Sequence, residues 1–97
     1  MIRTFGDKLT ECVYHGNLTR REIRQIPHEI LKTAARKLDL LNAAIELRDL
    51  FSPSGNRLEK LSGDYQGHYS IRINDQFRII FRYIEGHAYH VRIVDYH

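Results

Sequence analysis

The chain changes its hydrophobic period once, near the middle, and that change narrows the folds open to it. From Asp7 to Phe51 apolar residues recur at helical spacing, whereas from Arg57 to Tyr96 they alternate as in strands. Helices first and strands after indicate an α+β domain, with two N-terminal helices packed on one face of a mainly antiparallel sheet. At 97 residues there is room for one core, so residues 1–97 are read as a single domain. No repeat or low-complexity tract suggests a solenoid.

Local signals place the elements. Asp7 is positioned to cap a short helix carrying Leu9, Cys12 and Val13, with Gly16 as its stop. Thr19 and Glu22 match a capping box, with Leu18 and Ile23 at staple positions, before Pro27 interrupts. Pro27 suits the start of a new helix. Ile30, Leu31, Ala34, Leu38, Leu41 and Ile45 then make one apolar stripe, and Lys32, Arg36 and Lys37 are expected away from it. Ser52-Pro53-Ser54-Gly55-Asn56 closes the helical half. Beyond it, Tyr69, Ile71 and Ile73, then Phe77, Ile79, Phe81 and Tyr83, then Tyr89, Val91 and Ile93 mark the buried side of successive strands. Gly63-Asp64, Asn74-Asp75-Gln76 and Glu85-Gly86 supply the turns of a meander.

Composition excludes several classes. With 42% hydrophobic and 28% charged residues the chain is globular and not a disordered tail. No stretch approaches the roughly 20 apolar residues of a membrane span. Met-Ile-Arg-Thr-Phe-Gly lacks the features of a signal peptide, so a cytoplasmic location without membrane contact is expected. The lone Cys12 has no disulfide or zinc partner and reads as a small buried apolar residue. The histidines at 15, 28, 68, 87, 90 and 97 show no zinc spacing, and there is no phosphate loop or dinucleotide fingerprint. Neither a metal nor another cofactor is expected. A net charge of +3 suits nucleic acid or an acidic protein without choosing between them.

The chemistry is concentrated in two places. The sheet face away from the helices should hold Arg72 and Arg78, with Arg82 or Arg92, and with His68 and His90 nearby. Such a face is either solvated and laced with Arg–carboxylate pairs, or a concavity whose guanidinium forks match phosphate oxygens. Asp95, Tyr96 and His97 follow the last strand directly and add three acid–base groups. Cationic clamps beside a base and an acid suit RNA cleavage without metal. The base takes the 2′-hydroxyl proton, the oxyanion attacks phosphorus, and an acid protonates the leaving 5′-oxygen.

Gly55-Asn56-Arg57-Leu58-Glu59-Lys60-Leu61, Gly63-Asp64, Tyr69 through Arg78, and Val94-Asp95-Tyr96-His97 together resemble the HigB family of plasmid-maintenance killer toxins in the RelE/ParE superfamily. The resemblance spans nearly the whole chain. It implies the RelE/ParE-like fold and a toxin that cuts mRNA in the ribosomal A site, against 16S rRNA, without metal. It also implies neutralisation by a HigA-type helix-turn-helix antitoxin, with operator DNA reached only through that antitoxin. By position, Arg78 matches the arginine that contacts the scissile phosphate, and Asp95, Tyr96 and His97 match the C-terminal catalytic residues. Arg57, Arg72 and His68 are the expected RNA-binding residues, with salt bridges to Glu59, Asp64 or Asp75 as the other reading of the two arginines.

One departure concerns the base. Better-known members carry a histidine shortly before the Gly-Asp turn, where this chain has Glu59 and Lys60. The base is then His97 or Glu59, or Lys60 supplies phosphate charge. Two other functions remain open on the same residues: a ParE-like inhibitor of DNA gyrase without catalysis, and a plain interaction module.

Overall fold

The structure, a computed structural model, describes residues 1–95. In chain order it contains α1 (Lys8–His15), α2 (Arg20–Ile23), α3 (Leu31–Ala43), β1 (Glu59–Lys60), β2 (Tyr69–Arg72), β3 (Phe77–Ile84) and β4 (His87–Asp95). Short 3-10 turns stand at His28–Ile30, Leu47–Phe51, Ser54–Asn56 and Gly63–Tyr65. The strands form one antiparallel sheet in the order β1-β2-β3-β4, which is the expected α+β meander. No helix among the described residues is long and apolar enough to cross a membrane.

The caps of α1 are those the residues dictate. Asp7 accepts the Thr10 amide at 2.8 Å, and Gly16 ends the helix in the left-handed region at φ 70°. The hydroxyl of buried Thr10 accepts the Ile93 amide at 2.9 Å, tying α1 to β4. The expected capping box at α2 does not form: Thr19 makes no side-chain cap bond and Ile23 is exposed. Glu22 instead accepts from the thiol of buried Cys12 at 3.5 Å. Burial, and then the Glu22 carboxylate, push that thiol above its ordinary pKa.

In α3 the stripe residues Ala34, Leu38 and Leu41 are buried, and Ile30 just ahead of the helix joins them. Two expectations fail here. Ile45 lies beyond the helix end and is 78% exposed, because Asp49 takes the Ile45 and Glu46 amides and starts a new turn. Lys37 is buried, 6% exposed. It sits three residues from Ala34 and four from Leu41, so it belongs to the flank of the stripe.

The core joins α1 and α3 to one face of the sheet. Leu38, Leu41, Leu50, Ile71, Ile79, Phe81 and Val91 are fully buried in it. Each such side chain contributes roughly 1.5–3 kcal/mol of apolar burial.

A bulge resets β4. Ile80 pairs with Arg92, but Arg82 pairs with Tyr89, so β4 carries one extra residue, and His90 takes φ 55° there. Upstream of it the side chains change faces. Ala88, opposite Tyr83, is the core residue, and Tyr89 joins Arg82 on the other side, contrary to the simple alternation. The β3–β4 turn has positive φ at both Glu85 (49°) and Gly86 (82°), the geometry that follows strand twist. The N-terminal residues add a parallel edge to β4, through bridges Ile2–Ala88 and Phe5–Val91.

Candidate active site

Register builds the face opposite the core. Arg72 stands across from Arg78, and Arg78 from Val94; one step along, Glu59, Ser70, Ile80 and Arg92 form the next row. Directly opposed residues of antiparallel strands share a face. Lys60 pairs with Tyr69, which packs against the core, so alternation turns Lys60 away from Arg78. Glu59 is the residue of that pair on the arginine face.

This face is not simply solvated. Ser70 is fully buried, Ile80 is 2% exposed and Arg78 is 8% exposed. The Arg78 Nε donates to Ser70 Oγ at 2.7 Å, and its Nη2 donates to the Arg57 carbonyl at 2.6 Å. Glu59 Oε1 stands 4.0 Å from the same Nη2. A buried guanidinium is tolerated only when its donors are used in this way. The bonds also fix its plane against the sheet.

The Arg57 carbonyl is itself held from behind. Arg57 has φ 45°, in the left-handed region, directly after buried Asn56. The Asn56 amide donates to the carbonyls of Leu50 (3.1 Å) and Ser52 (3.3 Å), and its oxygen accepts from the Lys37 ammonium. Burial lowers the pKa of that ammonium, with Arg36 and Arg72 adding repulsion. Sequence reasoning missed Ser70, Asn56 and Lys37. The signals were a serine set between Tyr69 and Ile71 in an apolar strand, and a lysine in phase with the α3 stripe.

The remaining expected residues are scattered. Arg72 is ion-paired with Asp75 across the β2–β3 turn. Asp95 accepts from Gln76 Nε2 at 3.0 Å and pairs with Phe77, so it lies at the Arg72 end of the sheet but one residue out of phase with Arg78. His68 lines a concavity on the arginine face, next to Ile80 and Arg92. Tyr96 and His97, assigned to the catalytic triplet, lie outside the described residues. Among the described residues no three His, Cys, Asp or Glu side chains converge to hold a metal ion.

The model of the HigB-like toxins, described as the RelE-like toxin of the type II toxin–antitoxin system HigB, matches residues 3–97. The chain belongs to this family. Toxin HigB-1 of Vibrio cholerae is 41% identical over 88 residues, covering 91% of this chain and 90% of that protein. The Endoribonuclease HigB of Proteus vulgaris is 28% identical over 97 residues, the full length of both. Among solved structures, the YoeB–YefM complex from Staphylococcus aureus covers all of this chain and 98% of its counterpart, with TM-score 0.60 at 18% identity. YafQ from E. coli strain BL21(DE3) covers 98% of this chain and 91% of its own, with TM-score 0.56 at 14% identity. At these identities the structural likeness establishes the RelE-like fold, with the sheet and helices of this HigB-like chain aligned almost end to end.

Proposed function

We propose that this HigB-like toxin is an endoribonuclease that cuts mRNA in the ribosomal A site and so stops translation. The observation that carries the reading is Arg78, a guanidinium locked by Ser70 and the Arg57 carbonyl in the middle of a cationic sheet face, with a carboxylate beside it. A family relative that bears the name endoribonuclease along its whole length supports it.

In this scheme Arg78 binds the non-bridging oxygens of the scissile phosphate and stabilises the charge that builds there. Glu59 is the candidate base: it lies on the Arg78 face, where Lys60 does not. It takes the proton of the 2′-hydroxyl, whose oxygen bonds to phosphorus while the bond to the 5′-oxygen breaks. An acid from Asp95, Tyr96 or His97 protonates the leaving oxygen, giving a 2′,3′-cyclic phosphate and a 5′-hydroxyl. The scheme calls on no metal. Arg57, Arg72 and His68 hold neighbouring parts of the RNA. The partner that silences the toxin is a HigA-type antitoxin with a helix-turn-helix domain, which also carries the pair to operator DNA. The fold neighbour solved as a YoeB–YefM complex supports a protein antitoxin as partner.

Primer extension on transcripts after induction tests this. Codon-phased cuts are expected for the wild type, with Arg78→Ala and Glu59→Gln each reducing cleavage at least a hundredfold while the variants stay folded. Intact mRNA together with an induced DNA-damage response would instead identify a gyrase inhibitor.

A further inference from the structure

A second concavity lies on the same sheet face, beyond Arg78 toward the β4 bulge. It encloses about 300 Å³. Its floor is Ile80, one wall is Tyr65 and His68, and the other is Arg92 with His90. Two of its lining residues each carry a buried polar atom, Nδ1 of His68 and Nε of Arg92, without a hydrogen-bond partner among the described residues. Buried polar atoms are nearly always bonded, so two such orphans on residues that line one concavity point to a ligand whose docking turns these side chains and supplies their partners.

The placement of Arg92 is built in. Its aliphatic stem crosses Gly6: a Cβ there would stand 2.6 Å from Arg92 Cγ and 2.7 Å from Cδ. The Gly6 amide is fixed to the Val91 carbonyl at 2.8 Å, so bare backbone is held under the stem. Opposite, the Tyr65 and His68 rings meet edge to face with centroids 6.2 Å apart.

We propose that this concavity takes one purine base of the RNA whose scissile phosphate lies on Arg78, an inference that rests on the nuclease reading above. An apolar floor with aromatic walls suits the flat face of a base, which stacks on such side chains without regard to charge. The orphaned atoms suit a purine edge. Arg92 donates to N7, and His68 either donates to the guanine O6 or, in its other tautomer, accepts from the adenine amino group. A bare phosphate fits less well, because the Asp64 carboxylate is part of the lining and repels it. Position agrees as well. Arg92 is the diagonal cross-strand neighbour of Arg78, about 7–8 Å away, within the span of one nucleotide.

The test is a titration of the purified full chain, isotope-labelled at histidine, with GMP, AMP, CMP, UMP or inorganic phosphate, following the His68 ring by NMR. Both purine nucleotides are expected to shift the His68 signals, with apparent Kd at least fivefold below the pyrimidines. Arg92→Gln should weaken the purines at least fivefold. Equal shifts with pyrimidines, the same shifts with inorganic phosphate, or an unmoved His68 would each overturn the proposal. The wild-type comparison decides on its own, so it stands even where a variant fails to fold. Cleavage of mRNA with an unmoved His68 sinks the pocket alone. Purine-dependent shifts without mRNA cleavage support the pocket and count against the nuclease reading.

Discussion

A single guanidinium and the oxygens that aim it carry the chemistry proposed for this molecule. Ser70 and the Arg57 carbonyl are neutral acceptors, so they orient Arg78 without cancelling its charge. Ser70→Ala should leave Nε short of a buried partner, a loss of about 1–3 kcal/mol. The expected outcome is a lower melting temperature and cleavage slowed about tenfold as the guanidinium plane loosens. Melting curves together with primer extension check it, and unchanged cleavage would show that Ser70 is not needed to position the group. Lys37 makes a separate prediction. Its ammonium has a lowered pKa in the fold, against an ordinary value of 10.5. Between the two values the unfolded chain binds the extra proton, so this group raises stability as pH rises through that window. Below it both states are charged, and the burial cost is constant. Lys37→Met lacks the titration. Its melting temperature relative to the wild type should therefore fall as pH is raised from 7 toward 10, and a pH-independent difference would argue against a buried ammonium.

Elements show where a sequence is legible and where it is not. The α1 caps, the Ala34–Leu38–Leu41 stripe and the hairpin turns follow from local residue chemistry, and these came through. The bulge did not, because nothing in Tyr89-His90-Val91 marks an extra residue; it answers to pairing with β3 and with the N-terminal edge. There the His90 amide donates to Thr4 Oγ1 at 2.8 Å and the Val91 amide to the Thr4 carbonyl at 3.1 Å. The same limit holds for the site. Arg78 stands out as an arginine in an apolar strand, whereas the Glu59-or-Lys60 choice needs the register with β2. The bulge can be tested by its backbone. A non-glycine residue at φ 55° costs about 1–2 kcal/mol, least for residues such as His and most for β-branched ones. His90→Gly should keep or raise the melting temperature, while His90→Val lowers it by roughly 4–8 °C. Equal melting of the two variants would mean that the bulge relaxes when the residue changes.

At the scale of the whole molecule the question is how a chain of net charge +3 binds a polyanion. The net value is small; the arrangement is what counts. Arg72 and Arg78 are directly opposed on one face, with Arg57 at its margin, and the core covers the other face. Each phosphate neutralised on single-stranded RNA adds about 0.7 to the slope of log affinity against log salt. Three arginine contacts then predict a slope of about −2, which a 2′-deoxy-substituted, uncleavable oligonucleotide can measure over a range of potassium chloride. Arg72 discriminates between its two readings here. Its exposed partner Asp75 holds it at the turn, a surface pair worth at most about 1 kcal/mol, which a phosphate can displace. If Arg72 contacts RNA, Arg72→Gln should flatten the slope by about 0.7, and Asp75→Asn should tighten binding at every salt concentration. If Arg72 only staples the turn, both variants should keep the wild-type slope and show their effect in the melting temperature instead.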